Sequence, residues 1–336
     1  MQRFQPVQRP KGCWTWRWLD HNLNRSIVKL RPFKQIDVFT ATPYFGNPLA
    51  VVLDGQGLND TDMQRFARWT NLSETTFVLP PTHSSADYCL RIFTPGGELP
   101  FAGHPTLGTC HAWLEAGGQP KRQDVIVQES AKGLVPIRRD ASSARAAQLA
   151  FAAPSLLRSA PSPVVLAQAA SALGIKASQI TAAQLLDNGP VWLGLLLDSP
   201  ETVLQLQPDH QALTRLGVKV GVAGIYTKPS SSLIARANRE AQAFKHTEAS
   251  TPEPGPDLEV RAFAACMGIN EDPVTGSLNA SLAQWLMADG FMPENYTASQ
   301  GMCMGRAGHI DLERDAHGQV WVGGQSVTCI DGAVRL

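Results

Sequence analysis

Alternating apolar and polar residues first appear as a regular pattern between Lys34 and Thr40. The alternation has the two-residue period of a strand with one buried face. Asn59 can then cap a helix in which Met63, Phe66 and Ala67 recur on one side. Further β-type runs and helical stretches alternate along the rest of the chain. The pattern therefore predicts a mixed fold of strands and helices.

Two stretches far apart in the chain repeat one unit of strand, loop and helix. The first covers residues 90–118 and the second covers residues 260–290. Each helix is rich in small residues and ends near a tryptophan, Trp113 or Trp285, with a glycine five positions further on. Such a duplication predicts two similar halves that face each other, with any active site in the cleft between them.

Length and charge favour a two-domain protein with a small-molecule ligand. A chain of 336 residues exceeds the size at which one core usually keeps growing. The alanine- and serine-rich stretch near 140–147 separates a half of residues 34–145 from a half of residues 146–336, whose last strand could return to the first half. Equal numbers of basic and acidic residues, 29 each, provide no global field for nucleic acid or a membrane surface. We therefore expect neither as a partner.

The cysteines indicate a reducing compartment. All six are scattered, without a Cys-x-x-Cys pair and without a histidine at zinc-ligand spacing. Reduced, buried thiols are the simplest interpretation. The chain also has no run of about 18 apolar residues that could span a bilayer. We expect a soluble, cytoplasmic protein.

Residues 1–33 differ from the rest of the chain in charge. Residues 1–32 contain seven basic side chains and one acidic side chain, a surplus that the remaining residues balance. They lack the apolar core of a secretory signal. We predict a disordered basic extension; an organelle-type presequence and a nucleic-acid-binding arm are the alternatives.

The start of each repeated helix has the composition of an anion site. Pro105 suits the first helical position, with Gly103 just outside it. In the second copy Thr275, Gly276 and Ser277 take that place. Unpaired backbone N–H groups at a helix N-terminus favour carboxylates and phosphates. Ordinary helix starts have similar compositions, so it is the duplication that favours a binding site.

Three polar residues near these loops are candidates for acid–base chemistry. Glu74 follows the predicted helix and precedes a β-rich run, His104 lies in the first loop, and Asp272 lies in the second. Each also has an ordinary interpretation, as a surface charge, a core or capping histidine, and a turn residue. His104 and His111 can share a helix face, but no carboxylate or cysteine completes a metal set. No nucleotide-binding fingerprint is present either, so we expect no metal and no cofactor.

Several long motifs occur in a fixed order between Lys34 and the C-terminus. They are residues 36–40 (IDVFT), 46–52 (GNPLAVV), 71–77 (NLSETTF), 91–95 (RIFTP), 98–108 (ELPFAGHPTLG) and 271–277 (EDPVTGS), followed by Gln300-Gly301, Gly305-Arg306 and Gly323-Gly324. Together they resemble the phenazine biosynthesis PhzF-like isomerases. Only the N-terminal extension and the loops around residues 228–257 lie outside the resemblance.

The resemblance implies an α/β (α+β) fold like that of diaminopimelate epimerase. Such a fold has two pseudo-symmetric domains, each a curved, mostly antiparallel sheet or barrel around a central helix, with the site between them. This agrees with the duplication found from the residues alone. We also expect a homodimer.

The resemblance also implies roles for individual residues. The glutamate of the Asn-Leu-Ser-Glu-Thr motif is the family's acid/base, which corresponds to Glu74. His104 and Asp272 correspond to polar groups that position the substrate or assist proton transfer. The groups that correspond to substrate-binding positions are the backbones of Gly103 and Gly276, together with Ser277 and Gln300.

A two-thiol racemase is disfavoured by the cysteine positions. Epimerases and racemases of this fold place one cysteine at each helix start. Here Cys110 lies inside the first helix and Cys266 lies six residues before Asp272. Neither thiol is therefore at the position that such chemistry requires.

We therefore predict a cofactor-independent isomerase that acts on a small carboxylate metabolite. Glu74 removes a proton from an activated carbon and returns it elsewhere on the same molecule. One alternative is an epimerase or racemase of an amino- or hydroxy-acid with non-thiol bases. The other is a ligand-binding protein that has kept the cleft and lost turnover.

Overall fold

The computed structural model describes residues 28–140, 148–227 and 255–336. The predicted extension up to residue 27 and the predicted junction at 145/146 lie outside the described residues. In chain order the strands are β1 (Leu30–Val38), β2 (Asn47–Val52), β3 (Glu74–Leu79), β4 (Tyr88–Phe93), β5 (Glu98–Leu99), β6 (Val125–Ser130), β7 (Gly133–Asp140), β8 (Gln148–Ala152), β9 (Leu157–Ser159), β10 (Ile180–Asp187), β11 (Val191–Leu197), β12 (Lys219–Ile225), β13 (Leu258–Ala264), β14 (Ile269–Asp272), β15 (Asn295–Gln300), β16 (Gly308–Arg314), β17 (Val320–Gly324) and β18 (Ser326–Arg335). The α-helices of the described residues are α1 (Asp60–Thr70), α2 (Gly103–Glu115), α3 (Pro163–Leu173), α4 (Pro200–Gln205), α5 (His210–Leu216) and α6 (Gly276–Ala288).

The strands form one hydrogen-bonded series with an internal two-fold pattern. Its order is β18-β1-β2-β3-β4-β6-β7-β8-β17-β16-β15-β13-β12-β11-β10-β9, with β5 and β14 added on β4 and β13. The antiparallel pair β8–β17 lies at the centre. On its two sides the same sequence of pairings occurs, in which β2 with β3 and β11 with β12 are parallel, and β4 with β6 and β13 with β15 are parallel. The α+β fold of two similar halves is therefore confirmed.

The duplicated unit lies at equivalent places in the two halves. Helix α2 follows β4 and β5, α6 follows β13 and β14, and each helix has 13 residues and is largely buried. In the first unit Arg91 donates to both carboxylate oxygens of Glu98, at 2.7 and 2.6 Å. In the second Arg261 donates to both oxygens of Glu271, at 2.9 Å each. The repeat seen in the sequence is thus a repeat of strand, ion pair and helix.

The last strand of the chain belongs to the first half. Strand β18 pairs antiparallel with β1, and this pairing begins at Leu30, opposite Arg335. Arg31 is 5% exposed and donates to the carbonyl oxygens of Asp54 and Gln56. The predicted extension of residues 1–33 is therefore too long at its C-terminal end, because pairing with β18 orders the basic residues from Leu30 onward.

Helix α1 begins at the predicted cap, whereas α2 begins earlier than predicted. Helix α1 has Asn59 as its cap and ends at Asn71 in the left-handed conformation. Helix α2 begins at Gly103, so Pro105 occupies its third position. A proline is tolerated there because the N–H groups of the whole first turn have no intrahelical partner. Of the helices in the described residues, none is long and apolar enough to cross a membrane.

The N-termini of α2 and α6 meet at two glycines. A methyl group placed on Gly103 would lie 3.0 Å from the Cα of Gly276, and one placed on Gly276 would lie 3.0 Å from the Cα of Gly103. The methyl on Gly103 would also lie 2.7 Å from Cζ of Phe151 in β8. Only glycine permits this approach, which brings the two helix ends into contact.

We expect Gly103→Ala to destabilise the protein, because the added methyl overpacks a contact between two helix backbones. Overpacking of this kind typically costs about 1–3 kcal/mol, which urea unfolding can measure. Gly332→Ala is the matched control: Gly332 is exposed in β18, and no atom lies within 4 Å of the added methyl. Equal stability of the two variants would contradict the proposed contact.

Candidate active site

A cavity of about 240 Å³ opens where the two helix N-termini meet. Its wall combines apolar side chains with a small set of polar groups, as is usual for small-molecule sites. Of the residues predicted from sequence, the cavity contains Glu74, Gly103, His104, Asp272, Gly276 and Ser277. Both halves contribute residues, so the cavity lies between them, where the sequence predicts a site.

The two helices at the cavity lack the side-chain caps that the other helices have. Helices α1, α3, α4 and α5 are capped by Asn59, Ser162, Ser199 and Asp209. The positions before α2 and α6, Ala102 and Thr275, provide no capping hydrogen bond, and neither first turn contains an acidic residue. An anion in the cavity can therefore accept hydrogen bonds from backbone N–H groups that no side chain of the described residues caps.

Glu74 and His104 face each other at the cavity. Glu74 is the first residue of β3, and its side chain is 13% exposed. Nε2 of His104 lies 3.2 Å from Oε2 of Glu74. Both atoms are buried, and in the described part of the chain neither has a well-aligned hydrogen-bond partner. A bound ligand can therefore provide the partner that each atom lacks.

Asn47 connects His104 in the first half to Asp272 and Val274 in the second half. Its amide nitrogen donates to Oδ1 of Asp272 at 3.0 Å and to the carbonyl oxygen of Val274 at 2.8 Å, and lies 3.3 Å from Nδ1 of His104. Its amide oxygen accepts from the Ser73 hydroxyl. Asn47 is fully buried, so this orientation is fixed. Because Nδ1 of His104 faces an amide donor, the network assigns the proton of the neutral ring to Nε2, on the side of Glu74.

Asp272 is held by a chain of hydrogen bonds from the second half. Thr275 donates its hydroxyl proton to Oδ2 of Asp272 at 2.6 Å. Gln300 in turn donates to the Thr275 hydroxyl and to the Asp272 carbonyl, both at 2.9 Å. Both carboxylate oxygens of Asp272 therefore accept hydrogen bonds, as an ionised carboxylate does.

Gln300 lies behind the cavity wall and not at the substrate-contact position that the sequence predicts. Its side chain is 1% exposed, and its oxygen accepts from the Thr275 backbone and from the Asn279 amide. All four of its hydrogen-bonding positions are thus used within the protein. Gln300 positions Thr275 and Asp272 and does not line the cavity. Its motif is shared with the family, but sequence alone does not distinguish a residue that touches the ligand from one that supports it.

Burial shifts the protonation of the three acid–base candidates. Burial raises the pKa of Glu74 to about 8, and the nearby Asp272 charge raises it further, against opposing effects of Ser73 and Lys219. Burial also raises the pKa of Asp272 to about 6, opposed by the hydrogen bonds from Thr275 and Asn47. The pKa of His104 falls to about 3, because burial disfavours the imidazolium. At neutral pH the site thus contains one protonated carboxyl, one carboxylate and a neutral imidazole.

Ser277 and two lysines complete the polar lining. Ser277 Oγ accepts from Nε1 of Trp192 at 3.3 Å, and its own proton has no acceptor among the described residues. Lys132 and Lys219 also line the cavity, and sequence reasoning missed both. Neither lies in a recognised motif, so only the chain's path in space identifies them. Within the described residues no group of three or more His, Cys, Asp and Glu side chains is arranged to hold a metal ion.

Comparisons with known proteins match most of the chain. The sequence profile of the phenazine biosynthesis-like protein family matches residues 36–332. A relative in Schizosaccharomyces pombe, antisense-enhancing sequence 1, is 35% identical over 309 residues, which cover 89% of this chain and 97% of the relative. The trans-2,3-dihydro-3-hydroxyanthranilate isomerase of Pseudomonas aeruginosa is 31% identical over 309 residues, 90% of this chain and 98% of the relative.

Solved structures show the same fold. A phenazine biosynthesis protein of the PhzF family from Bacillus anthracis superposes with a TM-score of 0.72 at 21% identity, covering 92% of this chain and all of that one. The predicted resemblance and the predicted isomerase class are both confirmed by these matches. From the extent of the profile match and the full-length relatives, the chain belongs to the phenazine biosynthesis-like protein family.

Proposed function

We propose that the protein is a cofactor-independent isomerase that moves a proton within a small carboxylate substrate, with Glu74 as the general acid/base. The observation that carries this proposal is the position of Glu74. Its buried carboxyl lies 3.2 Å from the imidazole of His104, beside two uncapped helix N-termini. A relative named for trans-2,3-dihydro-3-hydroxyanthranilate, which is a small carboxylate, supports the substrate class.

The substrate carboxylate binds at the helix ends in this proposal. The backbone N–H groups of Gly103 and Gly276 and the hydroxyl of Ser277 are the available donors. Each helix N-terminus adds a partial positive charge of roughly half a unit. Removal of a proton next to the carboxylate delocalises negative charge onto it, so these donors stabilise the charge that develops in the transition state.

Glu74 then acts both as the base that removes the proton and as the acid that returns it. Its raised pKa makes the ionised form a stronger base than an ordinary glutamate, and the protonated form a competent acid near neutral pH. The neutral His104 donates its Nε2 proton to Glu74 or to a substrate oxygen and restricts the orientation of both. Burial is the main cause of the raised pKa of Glu74, and the negative charge of Asp272, which Thr275 and Asn47 hold in place, raises it further.

One feature favours a second candidate, an epimerase of an amino- or hydroxy-acid. Glu74 comes from the first half and Asp272 from the second, and both line the same cavity. Two carboxyls on different halves can remove a proton from one face of a carbon and return it to the other. The two reactions differ in their products, because epimerisation inverts one centre and the proposed isomerisation moves a double bond. NMR of the product distinguishes them.

We expect Glu74→Gln to lose turnover while still folding and binding ligand. The amide retains the shape of the carboxyl but does not titrate, so turnover should fall by about 10²–10⁴-fold. A screen of carboxylate metabolites in D₂O, read by NMR, should show deuterium on a product carbon with the wild-type enzyme. His104→Asn and Asp272→Asn should change substrate affinity as well as rate. Near-wild-type kcat in Glu74→Gln would exclude Glu74 as the proton carrier.

The pH dependence of kcat/KM should reflect ionisation of Glu74. The reaction begins with proton removal, which requires the carboxylate, and the pKa of Glu74 is raised to about 8. We therefore expect kcat/KM to rise with pH through a midpoint near that value. A profile that rises near the ordinary glutamate pKa of 4.5 and then stays flat would contradict the proposed burial effect.

The raised pKa of Glu74 also predicts that the stability difference between the wild type and Glu74→Gln changes with pH. The folded state holds the proton of Glu74 up to about pH 8, whereas the unfolded chain releases it near 4.5. The contribution of protonated Glu74 to the free energy of unfolding is therefore fully present below pH 4.5, and it is lost as the pH rises to about 8. Glu74→Gln has no proton to lose. Its unfolding temperature should therefore exceed that of the wild type at pH 8, with a smaller difference at pH 5.

The control for this measurement is Glu201→Gln, since Glu201 is exposed at the start of α4. It should unfold at the wild-type temperature at both pH values. A difference between Glu74→Gln and the wild type that does not change with pH would show that Glu74 does not hold its proton in the folded state.

A further inference from the structure

Lys219 occupies in the second half the position that Glu74 occupies in the first. Glu74 is the first residue of β3, which runs parallel to β2, and Lys219 is the first residue of β12, which runs parallel to β11. The pairings of these strands correspond in the two halves. Both side chains line the cavity. The two-fold pattern thus places a cation opposite the candidate acid/base.

The ammonium group of Lys219 is influenced by the charges of Asp272 and Glu74, but it forms no direct ion pair with a carboxylate of the described residues. The side chain is half-buried, and Nζ lies 5.0 Å from the ring centroid of Trp192, its neighbour on β11. Among the described residues it makes neither a hydrogen bond nor an ion pair. Lys34, which is also buried, contacts two carboxylates, Glu115 and Asp331. A desolvated cation without such a partner is unfavourable unless a ligand supplies one.

A second lysine lies at the mouth of the same cavity. Lys132 is in the turn between β6 and β7 and is exposed. Its side chain lies along Gly189, so that a methyl group on that glycine would be 3.6 Å from Cε of the lysine. The ammonium group of Lys132 likewise has no ion-pair partner in the described part of the chain. Each half therefore contributes one unpaired lysine to the cavity.

The charges of the cavity favour a ligand with two negative charges. The charged side chains in its wall are the two lysines and the carboxyl groups of Glu74 and Asp272. The raised pKa of Glu74 leaves Asp272 as the ionised carboxylate at neutral pH. Two ammonium groups, one carboxylate and two helix N-termini of roughly half a charge each sum to roughly two positive charges. A monoanion neutralises about half of this.

We propose that the substrate carries two acidic groups, one bound at the N-termini of α2 and α6 and the second bound by Lys219 with Lys132. The first group is the carboxylate of the function proposed above, and the inference rests on that proposal. The second group is a carboxylate or a phosphate-type anion, since an ammonium group binds either. Lys219 thereby selects the substrate and takes no part in proton transfer.

Binding of small acids to the wild-type protein tests this directly, without a need for turnover. The probes are pentanoate, glutarate and 4-phosphonobutyrate, which have similar lengths. Pentanoate has a single carboxylate, glutarate has a second carboxylate, and 4-phosphonobutyrate has a phosphonate as its second acidic group. Ligand-observed NMR titration gives their Kd values. We expect glutarate or 4-phosphonobutyrate to bind at least ~10-fold more tightly than pentanoate, a difference of about 1.4 kcal/mol. The tighter of the two identifies the second group.

Substitutions of single lysines then show which side chain causes the preference for a ligand with two acidic groups. Lys219→Met keeps an unbranched side chain of similar length without the charge, and should remove most of the preference while leaving pentanoate binding within about twofold. Lys219→Arg should retain the preference. Lys132→Met should reduce it less, because that lysine is exposed. Lys176→Met is the control: this lysine is exposed and does not line the cavity.

The outcomes separate this inference from the proposed function. Binding of pentanoate without a preference for either diacid overturns the second subsite alone. Equal loss of pentanoate and glutarate binding in Lys219→Met overturns it too, because Lys219 would then serve the first carboxylate or the fold. Absence of binding by all three acids overturns this inference together with the carboxylate site at the helix ends. The role of Glu74 is decided separately by the Glu74→Gln variant and deuterium incorporation.

Discussion

The contact between the N-termini of α2 and α6 is the constraint on which the site depends. Two helix ends that carry like partial charges are held together, and both lack a side-chain cap. Gly103 and Gly276 make the approach sterically possible, and packing of the two halves around the β8–β17 pair keeps the ends in place. The unsatisfied N–H groups of both first turns then converge on one cavity. An anion bound there would offset the like partial charges of the two helix ends, which is the basis of the proposed carboxylate site.

The second determinant is the desolvation of two carboxyl groups within one cavity. Asp272 receives hydrogen bonds at both oxygens from Thr275 and Asn47, whereas Oε2 of Glu74 has no such donor. Unequal solvation by the protein separates their pKa values, so that one carboxyl holds a proton while the other is charged. Gln300 contributes indirectly, since it orients the Thr275 hydroxyl toward Asp272. The protonation of Glu74 and Asp272 thus depends on the hydrogen-bond network around them more than on either residue alone.

The two halves have kept their topology while their chemistry has diverged. The paired ion bridges, Arg91 with Glu98 and Arg261 with Glu271, remain at corresponding positions beside the central helices. By contrast, the first residue of β3 is an acid, Glu74, and the first residue of β12 is a base, Lys219. A symmetric framework with asymmetric side chains suits a substrate whose two ends differ. In the proposed function the Glu74 side of the cavity exchanges protons and the Lys219 side binds charge.

Local patterns in the sequence were sufficient for several elements and for six of the residues that line the cavity. Caps such as Asn59 and the apolar periods of α1 and β11 define those elements because they act over a few neighbouring residues. The ordered motifs pointed to Glu74, His104 and Asp272 as candidates. The duplicated unit predicted the two halves. Tertiary structure alone decided three further features: the protons that these groups hold, the supporting place of Gln300, and the presence of Lys219 and Lys132 in the cavity. Each depends on which groups from distant parts of the chain share a desolvated volume, and no local sequence pattern encodes that proximity.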